Sequence, residues 1–392
     1  MPRSFRRTVS LVTAWQVAAS VCYYTVFAAT PFFRDAFGLS RFEVGIVVTV
    51  LSLGYAAFQL PLGSATDRYG EALTLPLGLL ALSAGVLLVA GAPTYAALLA
   101  AVFFLGSAYG VAAPGTNRVI VEMIAVERRN VAMGIKQVGV TAGSGLSALL
   151  VTGLAGFFVW QTGFLVASGL GILVAAAFAL SYSSDGSRDG DRPEFRTLLG
   201  EPPFRRLLLA GVLLGAALFT TTGYTVLYVE ETAGTAVVVA GAVLALVQLF
   251  GSVGRIVGGW LGDVLPGSEL RRVGGILTVQ AVAAAAVFLA VPELSSTLGA
   301  VVVFSVLGFF ALGNTGIYFS CVATLVRSEE IGAASAGGQL ALTAGALVGP
   351  PVFGYLADTV GYRAGWSALA GASLLAAALS LSIVRSEAPA AA

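Results

Sequence analysis

The sequence predicts an all-α membrane protein, with twelve transmembrane helices in two six-helix bundles. Three observations carry this. The 392 residues are 57% hydrophobic and only 10% charged, whereas about a quarter of the residues in soluble domains are charged. The apolar residues fall into segments near the roughly 20 that a hydrocarbon core requires, longer and less alternating than barrel strands. One long polar stretch, 183–206, holds ten charges and divides the segments six and six.

In chain order the spans are expected near 8–32, 43–65, 72–91, 95–119, 131–157, 163–183, 207–229, 236–261, 273–291, 297–322, 332–356 and 364–384. Arg3 to Arg7 followed by an apolar run has the outline of a signal peptide. The run to Phe33 exceeds an h-region and ends without a small-residue cleavage site, so it reads as the first span. The domain organisation that follows is a bundle at 1–183, a cytoplasmic linker at 184–206 and a second bundle at 207–392. The 49 glycines suit helices packed closely in lipid.

With the N-terminus in the cytoplasm, sixteen arginines fall on inner ends and loops. Three fall outside: Arg34, Arg41 and Arg363. This asymmetry predicts a cell-membrane protein with both termini cytoplasmic. There is no histidine, and Cys22 and Cys321 both sit in apolar runs. A disulfide framework, a His/Cys metal site and histidine-based catalysis are therefore unsupported. No enzyme activity, cofactor or metal is expected. Partners are expected to be a small-molecule anion and membrane lipid, without nucleic acid, and the chain is expected to be a monomer.

The two halves share a register at an offset of 202 residues. Leu105-Gly106 matches Leu307-Gly308, Gln137 matches Gln339, and Thr141-Ala142-Gly143 matches Thr343-Ala344-Gly345. Parallel repeats of six helices build many secondary transporters. After the second span comes Gly63-Ser64-Ala65-Thr66-Asp67-Arg68-Tyr69-Gly70. Gly259-Trp260-Leu261-Gly262-Asp263 repeats its first half after the eighth. The first segment resembles the G-x-x-x-D-R-x-G loop of the major facilitator superfamily, and the resemblance extends over essentially the whole chain. It implies that fold, alternating access, and gating roles for Gly63, Asp67, Arg68, Gly70, Gly259 and Asp263. A carboxylate at a helix end can accept bonds from a neighbouring helix N-terminus and favour one gate state; the bland reading is a solvated loop. Glu71 stands where the family usually has a basic residue.

Within the superfamily, the arginine of proton-driven drug exporters in span four is here Val102. Their span-five Gly-Pro element is missing, a similar one being Gly345-x3-Gly349-Pro350 in span eleven. Arg255, followed by Gly258-Gly259 and Asp263, resembles span eight of nitrate/nitrite porters, where the arginine binds the anion. Their second arginine, two residues before a proline in span two, is here Gln59 before Pro61. Oxalate/formate exchangers carry their lysine in span eleven, where Gly338 pairs by the repeat with Lys136. Gly134-Ile135-Lys136-Gln137-x-Gly139 resembles a group of cyanate and organic-anion permeases.

Lys136 is the sole lysine, and it and Arg255 are cations flanked by apolar sequence. Such cations usually face a cavity and have a function there. Lys136 is seven residues from Arg129 and Arg255 is eight from Asp263, which puts both roughly 10–12 Å inside the cytoplasmic surface. The expectation is that both bind one anion, with Gln59, Gln137, Tyr24 and Tyr224 as further substrate contacts. Other polar candidates are Gln16, Tyr23, Asn117, Tyr228, Gln248, Asn314, Tyr318 and Gln339. Alternatively, Lys136 snorkels to the headgroups and Arg255 supports the gate loop. No Asp or Glu lies deep in a span, which favours anion transport over a proton/drug mechanism. The open alternatives are a proton-coupled exporter of drugs or other amphiphiles, and a non-transporting membrane sensor. The topology is checked by single-cysteine labelling from outside. A probe at Ser296 should react and one at Ser187 should not; the reverse would overturn the orientation.

Overall fold

The computed structural model describes residues 5–182, 200–294, 296–327 and 330–386, so the expected linker lies mostly outside the described residues. Among these, twelve helical segments are long and apolar enough to cross a membrane. In order they are span one, Phe5–Ala28; two, Arg41–Tyr69; three, Glu71–Ala90; four, Tyr95–Met123; five, Val131–Ala155; and six, Gln161–Ser181. They continue with seven, Pro202–Ala233; eight, Val237–Val264; nine, Glu269–Glu293; ten, Thr297–Thr324; eleven, Ile331–Thr359; and twelve, Tyr362–Ser386. The expected number and order hold. Several helices run past their apolar stretch, as span seven does from 207–229 to Pro202–Ala233, because a helix satisfies its own backbone groups and can continue into polar sequence.

The chain divides into two compact units. The first holds Met1–Gly38, Val50–Asp191 and Ala236–Ala245, and the second Leu39–Thr49, Arg192–Thr235 and Leu246–Ala392. In the first, Trp15 is fully buried and donates from Nε1 to the Leu75 carbonyl at 3.0 Å. In the second, fully buried Trp366 packs on Phe288, Phe304, Phe353 and Tyr228.

The 202-residue register has a physical meaning inside each unit. A Cβ on Gly106 would strike the Leu51 carbonyl of span two, and one on its repeat mate Gly308 would strike the Val247 carbonyl of span eight. Likewise Gly143 abuts the Val17 carbonyl of span one, and Gly345 the Val212 carbonyl of span seven. The matched glycines are therefore the points where matched helices touch backbone to backbone.

The breaks obey the same register. Span four is two helices, Tyr95–Tyr109 and Ala112–Met123. Pro114 lacks the N–H that would continue the ladder to Gly110. Span ten widens into a π-turn at Gly308–Leu312, so its break, like that of span four, follows a matched glycine. In span eleven Pro350 and Pro351 leave the carbonyls of Ala346 and Leu347 without their i+4 donors. The Thr49 hydroxyl takes their place at 3.4 and 3.2 Å.

Gly106→Val and Gly345→Val should each lower the melting temperature in detergent by an amount matching ~1–3 kcal/mol of overpacking. Gly371→Ala, where an added Cβ meets nothing within 4 Å, should be neutral or stabilising. Equal melting temperatures for all three would reject this packing account.

Candidate functional site

Lys136 lies on the face of span five that packs on span one, together with buried Ala132, Gly139 and Gly143. Only 6% of it is exposed. Its ammonium donates to Asn117 Oδ1 of span four at 2.6 Å. Among the described side chains no carboxylate comes within 4.0 Å of it, so its partner is a neutral amide. Gln137, one residue on, occupies a different face and is exposed. Gln59 is half-buried on span two, its main chain against Gly110.

A second polar group in this unit surrounds Tyr109. Its hydroxyl lies 3.2 Å from Gln16 Nε2 and 3.1 Å from Ser20 Oγ. Its ring stacks on Tyr23 at 4.2 Å between centroids. Tyr55 sits 5.7 Å from Tyr109 and 6.3 Å from Tyr23. Half-buried Tyr24 stands edge-on to Tyr23 at 5.2 Å. The sequence pointed to Gln16, Tyr23 and Tyr24 but not to Tyr55, Tyr109 or Ser20.

The segment 63–70 at the end of span two packs against Arg118 of span four. Arg118 meets Asp67 at 3.2 Å, Glu71 at 3.1 Å and Glu122 at 2.8 Å, and also donates to the Thr66 carbonyl at 3.1 Å. Glu71 has no exposed surface and accepts from the Tyr182 hydroxyl at 2.6 Å. The acidic departure from the family pattern is thus accommodated by an arginine and a tyrosine. Gly63 packs near Pro114, Arg68 lies over the Tyr69 ring at 5.3 Å, and Gly70 takes a φ of 79° that favours glycine.

In the second unit, Arg255 is half-buried and donates from Nε to the Leu312 carbonyl at 3.3 Å, at the π-turn of span ten. Thr315 bonds the same carbonyl at 2.9 Å. π-Turns inside helices are frequent at functional sites. Asp263 is exposed and its carbonyl accepts from Arg272 at 3.2 Å, while Gly259 has open space around it. Tyr224 is fully buried and donates to the Arg41 carbonyl at 2.6 Å, with the Pro350 carbonyl at 3.1 Å. The same corner holds an ionic clasp: Arg41 meets Glu231 at 2.8 Å and Asp358 at 3.5 Å. Tyr362 bonds Glu231 at 2.9 Å, and the first N–H groups of span two reach Asp358. Tyr224 therefore belongs to this clasp.

Among the described residues no group of three or more acidic or sulfur side chains could hold a metal ion.

Residues 14–339 match the profile of the Major Facilitator Superfamily. A "Hexuronate transporter" of Bacillus subtilis is 27% identical over 91% of this chain and 88% of its own length. "Monocarboxylate transporter 13" of Rattus norvegicus is 28% identical over 88% and 81%. A solved bacterial homolog of the human lysosomal transporter Spinster, in an inward-facing and occupied conformation, superposes with a TM-score of 0.82 at 16% identity. It covers 97% of both chains.

The ionic cluster around Arg118 predicts an order of effects. Arg118→Ala strands fully buried Glu71 and should cost ~3–5 kcal/mol of stability. Asp67→Asn alters a side chain that is 56% exposed and should cost under ~1 kcal/mol, while slowing transport. Thermal melts and proteoliposome uptake check both. Full turnover of the Asn variant would reduce the loop to a solvated turn.

Proposed function

The chain belongs to the Major Facilitator Superfamily, and from that membership we propose that it carries a small organic carboxylate, with Lys136 holding the anionic charge. The observation that carries the reading is the ammonium of Lys136, 6% exposed and bonded to neutral Asn117. A buried ion without a counter-ion costs several kcal/mol even after relaxation. An arriving carboxylate removes that cost and gains a charge-assisted hydrogen bond. Hexuronate and monocarboxylate, the substrates that two relatives are named for, are both carboxylates, which supports this over inorganic anions.

Arg255 is proposed as a second contact for the substrate. It belongs to the other unit and its Nε is engaged at the π-turn. The gating roles of Gly63, Asp67, Arg68, Gly70, Gly259 and Asp263 stay part of the proposal, with Arg118 added. Gln59, Gln137 and Tyr24 are kept as further contacts. Tyr224 is assigned instead to the clasp around Arg41, on its two carbonyl bonds. Cell-membrane insertion with both termini cytoplasmic rests on the arginine asymmetry.

Purified wild-type protein should be stabilised by a carboxylate substrate by ~2.7 kcal/mol at one hundred times its Kd. Lys136→Ala should abolish that stabilisation and proteoliposome uptake, and Lys136→Arg should impair both, because a planar fork does not replace a compact ammonium. Asn117→Asp, which supplies a permanent counter-ion, should raise stability without substrate and weaken anion binding. Undiminished stabilisation in Lys136→Ala would sink the reading. In a double-substitution cycle, non-additive losses with Arg255→Ala indicate action on the same ion.

A further inference from the structure

Buried tyrosines in the spans differ in what their hydroxyls meet. In the second unit Tyr224, Tyr228 and Tyr318 each bond main-chain carbonyls: Arg41 and Pro350, Val291, and Gly338. Those bonds tie helices together and leave little for a ligand. In the first unit Tyr109 bonds side chains, Gln16 and Ser20. The Tyr55 hydroxyl has no hydrogen-bond partner among the described residues, although the residue is 9% exposed. Hydroxyls and amides that bond one another keep both donor and acceptor capacity. A hydroxyl that no protein group engages can donate to, and accept from, a ligand.

The position of this group matters as much as its chemistry. Gln16 packs its Cβ and Cγ against Gly139, at 3.2 and 3.4 Å from where a Cβ would sit. Gly139 is three residues beyond Lys136, ~4.5 Å along the helix axis. Lys136 with Asn117, then Gln16 with Ser20, Tyr109 and Tyr55, therefore form a strip on spans one, two, four and five of one unit. One end carries a positive charge, and the rest is neutral and hydrogen-bonding.

We propose that this strip is a hydroxyl-recognition subsite, so that the preferred substrate is a polyhydroxylated carboxylate rather than a simple short-chain acid. The proposal rests on the reading of Lys136 as the carboxylate contact. With the carboxylate at Lys136, carbons a helical turn further along bring hydroxyls to Gln16, Tyr109 and Tyr55. A short alkyl acid would offer no hydroxyl to Tyr55, nor to the remaining donor and acceptor capacity of Gln16 and Tyr109. A site built to bond a hydroxyl discriminates against an analogue lacking it far more strongly than an apolar pocket discriminates by size.

The test uses the full chain in detergent and in proteoliposomes, with D-glucuronate, D-galacturonate and D-gluconate against propionate. Wild type should favour at least one hydroxylated acid by about tenfold or more in apparent affinity. Tyr55→Phe with Tyr109→Phe should bring that ratio near unity by weakening the hydroxylated acid, with propionate unchanged. Lys136→Gln should lose both classes. A wild type without preference, or a double variant that keeps it, overturns the subsite. Lower melting temperature with an unchanged ratio would make the tyrosines packing residues, and also overturns it. If Tyr109→Phe does not fold, Tyr55→Phe decides alone, since its hydroxyl makes no bond with a described residue that could be lost. Retained binding of both classes by Lys136→Gln would instead overturn the carboxylate reading, and stabilisation by none of the four acids counts against both.

Discussion

A carboxylate or carbonyl inside hydrocarbon has no water to bond, so another part of the chain must meet it. Most of the polar architecture here follows from that constraint. Glu71, fully buried, has Arg118 and Tyr182 around it. Asp358 covers the first N–H groups of span two, and Arg41 stands between Glu231 and Asp358. The proline pair of span eleven exposes two carbonyls, and Thr49 covers them. At the π-turn of span ten, Arg255 and Thr315 reach the Leu312 carbonyl. In the proline pair of span eleven and at the π-turn of span ten, a side chain from a neighbouring helix or the next turn meets the backbone.

The fold was legible because that constraint leaves a coarse mark on sequence. A spanning helix needs a long apolar run, and twelve such runs are visible without knowing a single contact. The internal repeat was legible only as an offset between identical residues. Its cause, carbonyl-to-glycine contacts at Gly106, Gly308, Gly143 and Gly345, is three-dimensional. The breaks were harder. Pro114 hints at the one in span four, but nothing in Gly308–Leu312 marks a π-turn, because that geometry follows from packing against span eight.

The candidate site divides in the same way. Lys136 stood out because it is a lone lysine in an apolar run, and rarity needs no geometry. Asn117 was visible only as one polar residue among many. Tyr55 and Tyr109 carried no mark at all, since single tyrosines in spans are usually packing or interfacial residues. Only the structure brings spans one, two and four close enough for their rings to lie within 4.2–6.3 Å. Tyr224 is the opposite case. The sequence marks it as a polar residue in an apolar span, and only the structure shows the two carbonyls its hydroxyl meets.

Neighbouring positions on span four show how one helix keeps structural charge apart from Lys136. Asn117 and Arg118 project about 100° apart on a 3.6-residue helix. Arg118 faces three carboxylates, Asp67, Glu71 and Glu122, so the surplus on that side is negative. Asn117 faces Lys136 and contributes an oxygen without a charge. An aspartate at 117 would neutralise the ammonium permanently, and an arriving anion would have to compete with it. An apolar residue there would leave the ammonium without any acceptor. The amide lies between these extremes: it holds the ammonium in place and leaves its charge unspent. That pattern fits a cation kept available for a ligand that comes and goes, and it separates Lys136 from the arginines of the same unit that hold the fold.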